Sequence, residues 1–145
     1  MKKIISCLLI IAFILSFAII PSTNVEAASK KAVYRSTLSG KKVTKLYKSN
    51  VKTISISGNK LILNASLDKA KNKNELFTKK STHLAFSKRT YTISSKCKFY
   101  FAGGEGPDRK VTKKAFLKQA KKYGDLALYF YTDSSGAIYK MVISI

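Results

Sequence analysis

Residues 90–101 read TYTISSKCKFYF, and this stretch decides the fold class. Tyr91, Ile93, Cys97, Phe99 and Phe101 fall on one side of an extended chain, while Thr92, Ser94, Lys96, Lys98 and Tyr100 fall on the other. Period-2 alternation over this length marks a strand with one packed face and one wet face. It also puts Cys97 on the packed face, where a free thiol behaves as a small hydrophobe.

Upstream, Thr53–Ser57 alternates, with Ile54 and Ile56 on one face. Gly58-Asn59 is a two-residue turn, and Lys60–Leu67 resumes the alternation with Leu61, Leu63, Ala65 and Leu67 on one side. This is a hairpin with Gly/Asn turn chemistry. Asp68–Glu75 has no apolar periodicity beyond Ala70 and reads as an exposed loop. Leu76-Phe77 and His83–Phe86 read as short strands, with a break at Lys88-Arg89. Downstream, Gly103–Asp108 ends the long strand in a turn-rich loop. Thr112 then N-caps a helix over about residues 112–123, with an apolar stripe of Phe116, Leu117, Ala120 and Tyr123 and a C′ stop at Gly124. Leu126–Tyr131, the turn Asp133–Gly136 and Ala137–Ile145 make a second hairpin. Its strands are apolar on both faces, so they are covered on two sides or present an aromatic strip.

This order predicts a mainly β (α+β) domain over residues 51–145: a small curled antiparallel sheet or partly open barrel with one capping α-helix. The pattern I-S-I-x-G-x-x-L-x-L at 54–63, followed by strand, Gly loop, helix, G-D-L-A-L strand and hairpin, resembles the small OB-like barrel domains of secreted Gram-positive bacterial proteins. The resemblance implies an OB-like barrel, a fold that often binds oligonucleotides or oligosaccharides on one sheet face. It brings no catalytic motif with it.

The N-terminus carries an export pattern. Met1-Lys2-Lys3 is a short positive region, Ile4–Ile20 is free of charge, Pro21 breaks the run, and Val25-Glu26-Ala27 has the small-x-Ala spacing of a cleavage site. The apolar run falls short of the roughly 20 residues that span a bilayer. Residues 1–27 are therefore expected to be a signal peptide cut at Ala27–Ala28, giving a secreted or envelope-associated protein. Residues 28–50 are basic and weakly patterned, and read as a tether or loosely docked extension with room for one short strand.

Removing residues 1–27 takes Lys2, Lys3 and Glu26 from the 28 basic and 7 acidic residues, leaving 26 against 6 and a net charge of +20. Such a charge repels itself and calls for an anionic partner. Arg35, Arg89 and Arg109 are its only arginines. Lysine is a hydrated point charge, suited to diffuse, salt-sensitive attraction more than to bidentate reading. The competing explanation is that the lysines are solvated and serve solubility alone. Cys97 is the only cysteine beyond residue 27, which leaves no intrachain disulfide partner.

Few groups suggest chemistry. Gly103, Gly104 and Gly106, with Arg109 and Lys110, lie ahead of the helix, where free N–H groups favour an anion, yet no phosphate-loop fingerprint is complete. Lys114, Lys118 and Lys121 share the outer face of the helix. His83 and Cys97 cannot make a nucleophilic pair if Cys97 is packed, and one His with one Cys does not hold zinc. No catalytic residue, metal site or cofactor is expected. The remaining candidates are aromatic: Tyr129, Tyr131 and Tyr139, with Tyr100, share one outer surface with Lys98 and Lys140 by strand parity. They are either a stacking surface or core beneath the helix or the N-terminal segment.

The expected function is that of a secreted, non-enzymatic, strongly basic domain associating with anionic polymers: teichoic acid, an anionic lipid surface, extracellular nucleic acid or an acidic glycan. The alternative is a structural or protein-interaction accessory domain whose charge serves only solubility.

Overall fold

The computed structural model describes residues 31–41 and 47–144. The expected signal peptide, residues 1–27, and its expected cleavage site at Ala27–Ala28 lie outside the described residues.

Hydrophobic alternation and turn chemistry build the first hairpin as read. Strand β2 (Asn50–Ser57) turns through Gly58-Asn59 into β3 (Lys60–Ala70), with Ser57 opposite Lys60. Gly58 takes a positive φ of 56° and Asn59 does not, the pattern of a turn with glycine at its first central position. Leu61, Leu63, Ala65 and Leu67 are fully buried on one face. β3 does not stop at Leu67: it continues through Asp68, which is buried, so the exposed loop is shorter than read. A 3-10 turn follows at Lys73–Phe77, with Asn72 accepting from the Glu75 N–H. Leu76 and Phe77 belong to this turn rather than to a strand.

β4 (Thr82–Ala102) is a single strand of 21 residues. His83–Phe86 and the 90–101 stretch are parts of it, and Lys88-Arg89 is not a break. Both are paired, Lys88 with Asn64 and Arg89 with Leu63. The two face opposite sides of the strand: Lys88 is exposed, and Arg89 is half-buried with its guanidinium donating to the Ala85 O. β4 turns through residues 103–108 into a short β5 (Arg109–Val111), which pairs back on Phe99–Phe101. The helix α1 (Lys113–Ala120) begins at Thr112, whose Oγ1 accepts from the Ala115 N–H at 3.1 Å. β6 (Leu126–Thr132) and β7 (Ile138–Ser144) form the last hairpin.

Residues 32–38, read from the sequence as part of a tether, are β1 (Ala32–Leu38), and this is the main correction to the reading. β1 lies between β3 and β6, antiparallel to both. Ala32, Tyr34 and Leu38 point into the core. Its polar Ser36 is buried without penalty because its hydroxyl donates to Ser66 O at 2.8 Å. Residues 32–38 therefore belong to the same sheet as the strands that follow Val51. β2 resumes parallel to the end of β1, with Thr37 opposite Asn50 and Leu38 opposite Val51.

Among the described residues, the seven strands form one sheet. β1 pairs with β6, β6 with β7, β7 in parallel with β4, β4 with β3, and β3 with β1, so the hydrogen-bonded neighbours run round a closed ring. The described residues are mainly β with one α-helix, and the strand pairs are mostly antiparallel, as expected. Inside the ring, Tyr34 stacks on Phe130 with centroids 4.6 Å apart, and Tyr91 meets both edge-on. Phe116 and Ala120 of α1 are fully buried, with Phe116 against Phe99 at 5.2 Å. The helix thus packs on the inward side of β4.

The helix ends differently from the reading. Its C-cap is Lys121, and the positive φ falls on Tyr123 (48°) and Asp125 (56°), not on Gly124. The Tyr123 ring packs against Gly40, and its hydroxyl accepts from the Ile54 N–H at 3.3 Å. That anchorage holds Tyr123 in a conformation that a β-carbon disfavours.

Candidate functional site

Strand parity sorts the side chains of the last hairpin. Leu128 and Phe130 are fully buried in the core, so Tyr129 and Tyr131 face outward, as does Tyr100 between inward Phe99 and Phe101. Register then places these outward residues in rows across the strands. Arg35 of β1 lies opposite Tyr129 of β6, Tyr129 opposite Val142 of β7, Val142 opposite Tyr100 of β4, and Tyr100 opposite Lys110 of β5. The neighbouring row runs Val33, Tyr131, Lys140, Lys98.

The cations on this face sit on the rings. The Lys140 ammonium is 5.0 Å from the Tyr100 centroid and 5.4 Å from that of Tyr131. The Arg35 guanidinium lies 5.2 Å from Phe77 and 6.0 Å from Tyr129, and its Nε donates to the Tyr129 hydroxyl at 3.4 Å. Lys73 of the 3-10 turn also caps Tyr129, at 5.2 Å. Cations held this way keep their charge near water while their stems lie on apolar surface. Tyr129 is nearly buried with Val33, Leu76 and Val142, Tyr100 and Tyr131 are half-buried, and Tyr139 is 38% exposed. The face is thus neither core nor a bare aromatic strip. Its partial cover comes from the 3-10 turn, not from the helix. Burial pushes the Tyr131 hydroxyl pKa above its ordinary value, with further raising from Tyr129, Asp108 and Tyr139.

The structure separates the other sequence candidates. Arg109 and Lys110 lie on β5, not at a helix N-terminus, and adjacent residues of a strand face opposite ways. The Arg109 guanidinium sits 5.5 Å from the Phe101 ring and lines a shallow pocket of about 380 Å³ with Ala102, Gly103, Gly104 and Pro107. Lys110 joins the outer row beside Tyr100. Lys114, Lys118 and Lys121 are exposed on α1, against the inward side of β4, and so belong to a different surface from the tyrosines. The Gly loop is separated from α1 by β5, so its N–H groups and the helix dipole do not converge.

Sequence reading missed Arg35, Lys73 and Phe77. Arg35 was hidden because β1 was unread, and Lys73 and Phe77 because nothing local says that the 3-10 turn folds back over β1 and β6.

Asp68, His83 and Ser49 also come together. His83 Nδ1 is 3.0 Å from Asp68 Oδ1 and 3.3 Å from Ser49 Oγ, and Lys48 Nζ is 3.7 Å from the same carboxylate oxygen. A nucleophile, base and orienting acid must use opposite ring nitrogens. Here both oxygens approach one nitrogen, which makes the group a structural clasp between the approach to β2, β3 and β4. Cys97 is elsewhere, half-buried beside a pocket of about 260 Å³ with Gly58, Asn59 and Lys113. Burial pushes its thiol up to about 11, away from thiolate chemistry. Among the described residues no group of His, Cys, Asp and Glu could hold a metal ion, and no helix is long and apolar enough to cross a membrane.

No protein-family model matches this chain, and no curated protein or solved structure matches it either.

Proposed function

We propose that this protein is a secreted, non-enzymatic binding domain that associates with anionic polymers of the cell envelope or its surroundings, after removal of residues 1–27. The observation that carries the reading is the array of cations seated on aromatic rings across β1, β6, β7 and β4, on a chain with a net charge of +21 before processing. Charge alone suits solubility as well as binding. Cations gathered on one face and held in place suit binding better, because less side-chain freedom is lost when a ligand arrives.

An OB-like barrel is the fold we assign. The closed ring of β1, β3, β4, β7 and β6, with helix α1 between β5 and β6, supports that assignment, with β1 and β2 acting as one interrupted first strand. Such small barrels serve as polymer-binding platforms.

The test is direct titration of the purified secreted protein with poly(glycerol phosphate), single-stranded DNA and heparin at rising salt. Salt-sensitive binding to at least one is expected. No binding to any of them at low salt would overturn the reading. Phe77 and Phe86, 65% and 45% exposed, favour a second reading, a protein-interaction domain. A pull-down returning one partner whose capture resists moderate salt would support it.

A further inference from the structure

We propose that the outer face of β1, β6, β7 and β4 is a cradle for the phosphates of a phosphodiester chain that carries no bases, such as a poly(polyol phosphate). The proposal rests on the polyanion reading and narrows it to one ligand class and one face.

The first reason is that the rings at the centre of this face, Tyr129, Tyr100 and Tyr131, already carry cations, while the more open Tyr139 and Phe77 lie at its margins. A protein that holds single-stranded nucleic acid offers open aromatic faces on which bases stack. Here Tyr129 carries Arg35 and Lys73, Phe77 carries Arg35, and Tyr100 and Tyr131 share Lys140. A base arriving at these rings would have to displace the cation that should meet its own phosphate. What the face presents is a set of fixed positive heads above an aromatic floor.

The second reason is charge left without a partner. Arg35 and Lys73 converge on one ring, and among the described residues neither forms an ion pair with a carboxylate. At the other end, Lys98 and Lys140 are directly opposite on β4 and β7. Like charges in that position repel. The Asp108 carboxylate offsets this from 3.5 Å away, through an exposed pair with Lys140. An incoming phosphate would take the place of Asp108, which acts as an internal stand-in for the ligand.

The third reason is spacing. Two inter-strand steps across the sheet and a two-residue step along the strands separate the backbone of Arg35 on β1 from that of Lys140 on β7, on the order of 12 Å. One free phosphate cannot bridge that span, whereas successive phosphates of a chain can.

The test uses a fluorescein-labelled poly(glycerol phosphate) read by anisotropy, with two variants that each lose three charges. One removes the cradle (Arg35→Gln, Lys73→Gln, Lys140→Gln), and the other removes the helix lysines (Lys114→Gln, Lys118→Gln, Lys121→Gln). The cradle variant is expected to bind at least tenfold more weakly, and its log–log salt slope to fall by about two to three. The helix variant is expected to stay within threefold of the parent. Asp108→Asn is expected to bind more tightly. An oligo-dT competitor of equal phosphate number is expected to compete no better than the unlabelled polymer. Equal losses in both triple variants would overturn the cradle and leave polyanion association standing. Tighter competition by oligo-dT, tenfold or more, would also overturn it, in favour of base stacking. No binding by the parent protein would overturn both readings. Circular dichroism checks that each variant is folded. Should the triple variant unfold, Lys73→Gln alone, on the exposed 3-10 turn, carries the test with an expected loss of about threefold.

Discussion

Replacing Gly40 with alanine should destabilise the protein far more than a surface glycine substitution ordinarily does. Gly40 has a φ of +64°, and a non-glycine residue in that region costs on the order of 1 kcal/mol. A β-carbon there would lie 2.8 Å from Cγ and 2.9 Å from Cβ of Tyr123, well inside the roughly 3.5–4.0 Å of a comfortable carbon contact. Tyr123 cannot yield cheaply. Its own φ is +48°, and its hydroxyl holds the Ile54 N–H at 3.3 Å. Moving the ring gives up that hydrogen bond, about 1 kcal/mol, together with packing between α1 and β2. The sum is about 2–4 kcal/mol, or roughly 10 °C in Tm for a chain of this size. Gly104, with a φ of +75° and open space around it, is the control and should show only the conformational part. Urea melts of Gly40→Ala, Tyr123→Gly (which removes the clashing Cβ as well as the ring) and the double variant complete a cycle with an expected coupling of about 1–2 kcal/mol. A coupling below about 0.5 kcal/mol would refute the reasoning, because the clash would then not be the source of the loss.

Three further outcomes are expected. With its thiol pushed up to about 11 from an ordinary 9.0, Cys97 should react with iodoacetamide at pH 8 about a hundredfold more slowly in the folded protein than in urea, since the thiolate is the nucleophile. Phe130→Ala should cost about 3–5 kcal/mol, measured by chemical denaturation, because the ring is fully buried between Tyr34 and Tyr91. The Asp133 carboxyl is held below its ordinary 3.8, first by the Ser135 hydroxyl and then by the Ala137 and Ser135 N–H groups. Its contribution to stability is therefore present above the ordinary carboxylate range and lost as pH falls through its depressed pKa. An NMR titration should find its midpoint below 3.8, and Asp133→Asn should weaken the acid-side dependence of stability.

Strands with period-2 alternation and clear turns were legible in the sequence. Leu61, Leu63, Ala65 and Leu67 and the stretch 90–101 fold as their alternation says, because one face of each meets the core, and the hairpin 126–144, apolar on both faces, forms about its Asp133–Gly136 turn. Strand β1 was not legible. AVYRSTL is short, carries Arg35, Ser36 and Thr37, and sits among lysines, and its burial depends on β3 and β6, which lie far along the chain. The same long-range pairing hid the candidate site. Parity correctly put Tyr100, Tyr129 and Tyr131 with Lys140, but Arg35, Lys73 and Phe77 join them only through the ring closure and the fold-back of the 3-10 turn. The end of α1 was misread for a related reason. Gly124 is the local stop signal, yet the contact with Gly40 and Ile54 settles where the chain turns.

The most direct measurement is amide and side-chain chemical-shift mapping of the purified protein as poly(glycerol phosphate) is added. The largest changes are predicted at Arg35, Lys73, Lys98, Tyr100, Tyr129, Tyr131 and Lys140, with α1 nearly silent. Largest changes at Lys114, Lys118 and Lys121, or an even response from lysines on every face, would contradict the assignment of binding to the outer face of β1, β6, β7 and β4.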